Sequence, residues 1–415
     1  MIHGWGGNIC HATLISQLRG LNHTKVLELY FAPFLVRSDF MPKSRSEIAS
    51  SVGTKLDAAK PNNIRGVIGF DGFVDEIIAV VDKRYSNLNY DRIATITDFA
   101  SRAAQAVGKS ANMELVVKKQ KLGGNGPIMA NALAAIGVRL TYIGNLGHPQ
   151  VHPVFQELAG RVEVLSLGEP CHTDALEFDD GKLMLGKLGP IGEISWELLL
   201  ERVGQNRLVK LLSVAQLLGM VNWTMIPSMN DIWEQMIRHV FPSLPAGRRS
   251  LFVDLADPEK RTREDVAAGL KLLTAMVKYL DVILGLNLKE AQQIAEVLHV
   301  RLPTDLERHL DQLASDIRKV LGIHTVVIHP RSGAAAATEQ QSASFAGPFI
   351  QQPLISTGAG DHFNAGFTAG RLFGFDLDEC LCLGTATSGY YVRHAKSPTQ
   401  AELANFCRTL PEPEF

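Results

Sequence analysis

The stretch from Glu114 to Gly144 reads ELVVKKQKLGGNGPIMANALAAIGVRLTYIG, and its periodicities decide the architecture. Glu114-Leu-Val-Val-Lys118 alternates as a strand. Gly123-Gly124-Asn125-Gly126-Pro127 then opens a helix over Ile128–Ile136, with proline in its first turn and Gly137 just past its end. Leu140-Thr-Tyr-Ile-Gly144 returns as a strand. A strand–helix–strand unit of this kind is the building block of a parallel sheet.

The pattern extends in both directions. Upstream, Gly66–Phe70 is a short apolar run ending in Asp71-Gly72, which predicts a first central strand, and Asp91–Val107 has apolar residues at helical spacing. Downstream, Thr173–Lys187 alternates around Asp180-Gly181, a hairpin pattern expected to leave the main sheet and cover a site as a lid. Helices are predicted over Ser195–Leu218, Met229–Val240 and Arg263–Val277, and strands over Leu251–Leu255, Val282–Gly285 and Thr325–Ile328. This order predicts an α/β chain with a doubly wound, mostly parallel sheet flanked by helices and a small β lid. No Gly-x-Gly-x-x-Gly follows the first strand, which argues against a dinucleotide-dependent oxidoreductase.

Composition narrows the function further. The 415 residues are 46% hydrophobic and 20% charged, with a net charge of −2, so no overall field draws nucleic acid or an anionic membrane. The richest apolar stretch, Leu208–Val221, is interrupted by Lys210, Ser213 and Gln216 and reads as a buried helix. The five cysteines are scattered and complete no metal set, so reduced thiols in a cytoplasmic protein are expected. Residues 1–60 read as an N-terminal extension, peripheral or partly disordered, with Met41 as an alternative start ahead of an amphipathic stretch, Ser46–Ala59. Residues 61–410 form the main domain, with lid segments near 75–120 and 171–187.

Chemistry concentrates in Ser356-Thr357-Gly358-Ala359-Gly360-Asp361, between a strand-like segment and a helix of small residues. Three small residues let the backbone turn tightly and aim its N–H groups at one point. That point falls at a helix N-terminus, where orphan amides and the dipole favour an anion such as a phosphoryl group. Asp361 stands in the same turn, within reach of a hydroxyl that attacks that group. After it, the pairs Ala365/Ala369 and Gly366/Gly370 predict a smooth helix face lying close to the sheet.

Ser356 to Phe367 resembles the motif of the ribokinase-like (PfkB) carbohydrate kinases, usually Asp-Thr-Gly-Ala-Gly-Asp-x-Phe, and further motifs follow the family order over Ile64–Pro398. The resemblance implies a ribokinase-like fold and transfer of the γ-phosphoryl of ATP to a hydroxyl of a sugar or sugar-like molecule. Asp361 would be the base, and Gly358, Ala359 and Gly360 the anion hole. Gly123, Gly124 and Asn125 would contact the sugar, as would Asp75, with Asp71 second to it and equally suited to capping the turn. Many members carry a sugar-binding Asn where this chain has Ile128, while Asn131 lies one helical turn on. Asn287-Leu-Lys-Glu290 resembles the Asn-x-x-Glu motif, in which Glu290 holds water around Mg²⁺; the same spacing is that of a capping box. Asn287, His329, Arg331 and Thr385 fall on the nucleotide side. Ser356 replaces an Asp that helps some members hold a monovalent cation, so potassium activation is not implied. His362 reads as a helix cap. An ADP-dependent sugar kinase, and a catalytically silent sugar or nucleotide sensor, are the alternative readings; Gly-Ala-Gly-Asp and the chain length favour ATP. Oligomeric state stays open, although an apolar lid sheet is suited to pairing two copies.

Overall fold

Residues 43–414 are described by a computed structural model. Its strands, in chain order, are β1 (Arg65–Phe70), β2 (Phe73–Arg84), β3 (Tyr90–Arg92), β4 (Leu115–Gly123), β5 (Arg139–Gly144), β6 (Glu163–Ser166) and β7 (Cys171–Phe178). They continue with β8 (Gly181–Lys187), β9 (Leu217–Met220), β10 (Ser250–Asp254), β11 (Asp281–Leu286), β12 (Thr325–Ile328), β13 (Gly333–Ala337) and β14 (Ser342–Ala346). Among the described residues the main sheet has nine strands in the order β14-β13-β12-β11-β10-β9-β1-β5-β6. From β12 to β6 every pairing is parallel, while β13 and β14 run antiparallel at one edge.

Alternation along each strand sends neighbouring side chains to opposite faces. Val67, Leu251, Val253, Val282, Leu284 and Val326 enter one core with the helices Gln205–Val214, Met229–His239 and Arg263–Met276. Ile68, Phe252, Ile283 and Val327 enter the other, with the helices Asn125–Ile136, Ala359–Phe373 and Leu377–His394. Both faces are covered, which is why these strands read as continuous apolar runs.

The strand Leu115–Gly123 does not belong to this sheet. β4 pairs antiparallel with β2 in a second, five-stranded sheet of β2, β3, β4, β7 and β8. Its Lys118, Lys119 and Gln120 are exposed, and such a strand could not lie between two helical layers. The parallel crossover therefore runs from β1 through the helix Asn125–Ile136 to β5. The Asp180-Gly181 hairpin is present as β7–β8 in the same small sheet. Under it, Ile78, Val80, Leu176 and Phe178 form a separate small core against Ile96 and Phe99. The helix expected over Asp91–Val107 is shorter, Ile96–Ala104.

Three other expectations are corrected. The segment Ser195–Leu218 is two helices, Trp196–Arg202 and Gln205–Val214, parted by Gly204 at φ 83°, and Leu217–Met220 is the central strand β9 rather than the end of a helix. Residues Arg45–Ala58 form a helix that buries Ile48, Val52 and Leu56, so they are part of the folded unit and not a peripheral extension; Met1–Pro42 lie outside the described residues. The glycine face of the helix Ala359–Phe373 lies against the helix Leu377–His394 and not the sheet. A Cβ on Gly366 would stand 2.3 Å from Thr387 Oγ1. The four described cysteines, Cys171, Cys380, Cys382 and Cys407, are free and buried. Among the described residues no helix is long and apolar enough to cross a membrane.

Candidate active site

Open parallel sheets bind ligands beyond the carboxyl ends of their strands. Here Asp71 follows β1, Asn222 follows β9, Asp254 ends β10, Asn287 follows β11 and His329 follows β12. The N-terminus of the helix Ala359–Phe373 presents Gly358, Gly360 and Asp361 to the same region. Gly358 has φ 91°, a left-handed conformation that admits glycine without strain.

Two cavities meet there. One, of about 420 Å³, is lined by Asp75, Gly124, Asn125, Ile128, Thr173, Asn222, Asp254, Glu290, Gly358 and Asp361. The other, of about 400 Å³, is lined by Arg331, Pro348, Phe349, Ile350, Ala359, Thr385, Ser388 and Val392. Asn287, His329 and Gly360 line both, so the cavities adjoin at the loop that carries the clustered amides. Of the first cavity's walls, Phe73, Asp75, Thr173 and Met184 come from the small sheet.

The carboxylates divide by environment. Asp361 is buried, and Asn125 Nδ2 donates to its Oδ1 at 2.9 Å. Burial, with Asp254 and Asp71 nearby, raises its carboxyl well above the usual range. Asp254 is pushed up to about 8 by burial and by Glu290; Asn364 Nδ2 donates to its Oδ2 at 2.7 Å. Glu290 is also raised by burial. Its oxygens accept from the Asp257 amide at 2.9 Å and the Asn287 amide at 2.8 Å, and Asn287 Oδ1 accepts the Glu290 amide, which completes a capping box. Asp361, Asp254 and Glu290 thus border one cavity with their carboxyls raised chiefly by burial. Among the described residues no three acidic, His or Cys groups close around a point. The capping box of Glu290 is formed in full, and the residue also lines the first cavity.

Of the two readings of Asp71, sugar contact and capping, the hydrogen bonds are those of a cap. Asp71 is fully buried and does not line the cavity. Its carboxylate accepts from the Asn125 and Gly126 amides at 2.9 Å each, and from Asn222 Nδ2 at 2.6 Å. It anchors the start of the helix Asn125–Ile136 and orients Asn125 toward Asp361. Burial outweighs these bonds and pushes it up to about 6. Gly123 also lies outside the cavity lining; a Cβ there would stand 2.4 Å from the Asp75 carboxylate. Asp75 itself lines the cavity, with Lys121 Nζ 3.8 Å from its Oδ2.

Asn131 does not take the place of the Asn missing at Ile128. Its amide bonds Ser397 and Arg161 on the far side of the helix, while Ile128 forms an apolar wall against Gly358. On the other cavity, Arg331 lies 5.8 Å over the Phe349 ring. Thr385 Oγ1 lies 3.0 Å from the carbonyls of Leu381 and Cys382, so its methyl shapes the wall. His329 packs against Phe363 with centroids 4.6 Å apart, and burial lowers it to about 4, which leaves it neutral. Sequence reading missed Asp254 and Asn222. Asn222 Oδ1 is buried with no partner and belongs to a side chain on the first cavity.

The sheet is flanked on both faces, and two adjoining cavities open at the helix start that carries Gly-Ala-Gly-Asp. Residues 48–409 match the family model described as prokaryotic ketohexokinase. The chain belongs to that family and is a carbohydrate kinase. It is 31% identical over 344 residues to a ketohexokinase of Haloferax volcanii, which covers 82% of this chain and 90% of that protein. Among solved structures, it is similar to an Arabidopsis thaliana ribokinase complexed with ribose and ATP, with TM-score 0.56 and 16% identity over 83% of this chain and 98% of the other. It is also similar to a carbohydrate kinase from Agrobacterium tumefaciens, with TM-score 0.56 and 16% identity over 84% and 98%. An adenosine kinase from Sinorhizobium meliloti gives TM-score 0.55 and 18% identity over 84% and 99%. These three differ in their named substrates, and their likeness carries the fold alone.

Asp75→Ala is expected to raise the sugar KM at least ~30-fold, because it would remove the buried carboxylate expected to accept sugar hydroxyls, with kcat changed far less. Steady-state kinetics against sugar concentration check this, and an unchanged KM would reject the assignment.

Proposed function

We propose that the chain transfers the γ-phosphoryl of ATP to a hydroxyl of a ketohexose, with Asp361 as the base. One observation carries the reading: Gly360 lines both cavities and its neighbour Asp361 lines the first, so an alcohol in one and a nucleotide in the other would meet end to end beside Asp361. Asp75, Asn125 and the unpaired Asn222 Oδ1 would hold the sugar hydroxyls. The apolar wall of Pro348, Phe349, Ile350 and Val392 suits a base, and Arg331 suits the phosphate chain. The Gly358 and Gly360 amides, which have no backbone acceptor among the described residues, would receive the transferring group. Ala359 is a weaker member of the expected anion hole, since its amide already donates to Ser356 O at 3.2 Å.

Asn287, Glu290 and Asp254 fit a Mg²⁺ held partly through water and nucleotide phosphates, because a cation would supply the positive charge that the raised Glu290 and Asp254 carboxyls lack. When bound, it would neutralise phosphate charge. Glu290→Gln is expected to raise the Mg²⁺ concentration for half-maximal activity by roughly 10–100-fold. A Mg²⁺ titration at saturating sugar and ATP checks this, and an unmoved midpoint would confine Glu290 to its capping role.

The small sheet would act as a lid, since Asp75, Thr173 and Met184 already wall the sugar cavity and its closure would exclude water. Leu115, Val117 and Leu185 on β4 and β8 are exposed and support pairing with a second copy. The ketohexose assignment comes from the family and the Haloferax volcanii relative. A panel of ketohexoses and aldohexoses, each with ATP and with ADP, tests it, with NMR of the product fixing the hydroxyl. Turnover of a ketohexose with ATP is the expected result; turnover of aldohexoses alone, or with ADP alone, would overturn it.

A further inference from the structure

Behind the Gly358–Gly360 loop, away from both cavities, two aromatic rings hold its carbonyls. Tyr391 OH donates to Thr357 O at 3.0 Å. His362 Nδ1 lies 2.7 Å from Gly358 O. A carbonyl only accepts, so Nδ1 carries the proton and Nε2 accepts from Ser397 Oγ at 2.8 Å. Ser397 Oγ accepts in turn from Asn131 Nδ2 at 3.2 Å, and Asn131 Oδ1 accepts from Arg161 Nη1 at 3.0 Å. The chain of donors runs in one direction, from Arg161 to the loop. The His362 and Tyr391 rings stack with centroids 3.6 Å apart and 14° between planes, so neither can turn without the other.

In a trans peptide the C=O and N–H point in opposite directions. Fixing Thr357 O on the Tyr391 side therefore fixes the Gly358 N–H on the other side, where Gly358 lines the sugar cavity beside Asp361. We propose that the His362–Tyr391 pair, tied through Ser397 and Asn131 to Arg161, positions the Gly358 amide for the transferring phosphoryl group, Tyr391 by holding Thr357 O and His362 by holding Gly358 O on the next peptide. This rests on the anion-hole reading of the loop. A buried imidazole is a costly filler where an apolar side chain of its size would serve. Its cost is explained if the bond to Gly358 O is needed. Neither ring lines either cavity, so both are positioning residues and not catalytic ones.

The test is steady-state kinetics and thermal unfolding of Tyr391→Phe, His362→Phe and His362→Gln, with Asp361→Asn measured alongside. Tyr391→Phe keeps the ring stack and removes only the donor to Thr357 O. The expected result is a kcat about tenfold lower, with sugar and ATP KM within about twofold. His362→Phe should lose at least as much, and His362→Gln, which restores a donor, should recover part of it. An unchanged kcat in Tyr391→Phe, or one in His362→Phe accompanied only by a lower Tm, would overturn the proposal. So would a sugar KM that rises in step with the loss of kcat. Should His362→Phe fail to fold, Tyr391→Phe alone decides. If Asp361→Asn retains full turnover, the active-site reading fails instead; if it is inactive while the ring variants are normal, only the positioning role fails.

Discussion

Asp361→Asn is expected to lower kcat by roughly 10³-fold, within the range assigned to a positioned general base, while leaving the sugar KM within a few-fold of its original value. Asparagine has the same shape and still accepts a hydrogen bond from Asn125, so the cavity keeps its form. What it loses is the ability to take a proton. The sign of the pH dependence follows from the environment. Burial and the neighbouring Asp254 and Asp71 raise the Asp361 carboxyl, so the free enzyme binds its proton more tightly than an exposed aspartate would. Activity should therefore rise with pH on the acid side, with a midpoint in kcat/KM above the ordinary aspartate value of about 4. Mg²⁺, by adding positive charge at the mouth, should move that midpoint down. A pH profile of kcat/KM at two Mg²⁺ concentrations reads both effects. A profile that falls with rising pH through this range, or a fully active Asn variant, would remove Asp361 from the role.

Gly360→Val should cost at least ~10²-fold in turnover, the loss typical of one anion-hole donor, with sugar binding still measurable. The space is graded. A Cβ at Gly360 would meet only His329 Cε1 at 3.4 Å, an ordinary contact, so Gly360→Ala should be tolerated. The two γ-methyls of valine reach beyond that point, into the place where the cavities adjoin and where the amides point. The Asp75 side of the sugar cavity is untouched, which separates lost transfer from lost binding. Isothermal titration with sugar, beside turnover of the alanine and valine variants, checks the ordering. Retained turnover in the valine variant would count against the anion hole.

Much of this site could be read in the sequence because its chemistry is contiguous. Gly358, Gly360 and Asp361 share one helix start, and the expected nucleotide-side residues Asn287, His329, Arg331 and Thr385 all line one cavity. What could not be read depends on distant neighbours. Leu217–Met220 is a four-residue apolar run two residues after a helix, and nothing local distinguishes a short buried strand from a helix end. With β9 hidden, Asn222 at its carboxyl end was hidden too. Asp254 closes an apolar strand, but its meaning lies in Asn364 and Glu290, which reach it only through the fold. β4 was recognised as a strand, yet whether a strand joins the main sheet or the lid is decided by its partner, β2. Asp71 shows the converse. A carboxylate in the expected loop is consumed by the helix it anchors, and only the geometry separates that duty from sugar binding.

The most direct test is a crystal structure of Asp361→Asn with a ketohexose, Mg²⁺ and a non-hydrolysable ATP analogue. A sugar hydroxyl beside residue 361, facing a terminal phosphate that rests on the Gly358 and Gly360 amides, is the predicted arrangement. Sugar and nucleotide bound without meeting at that loop would contradict it.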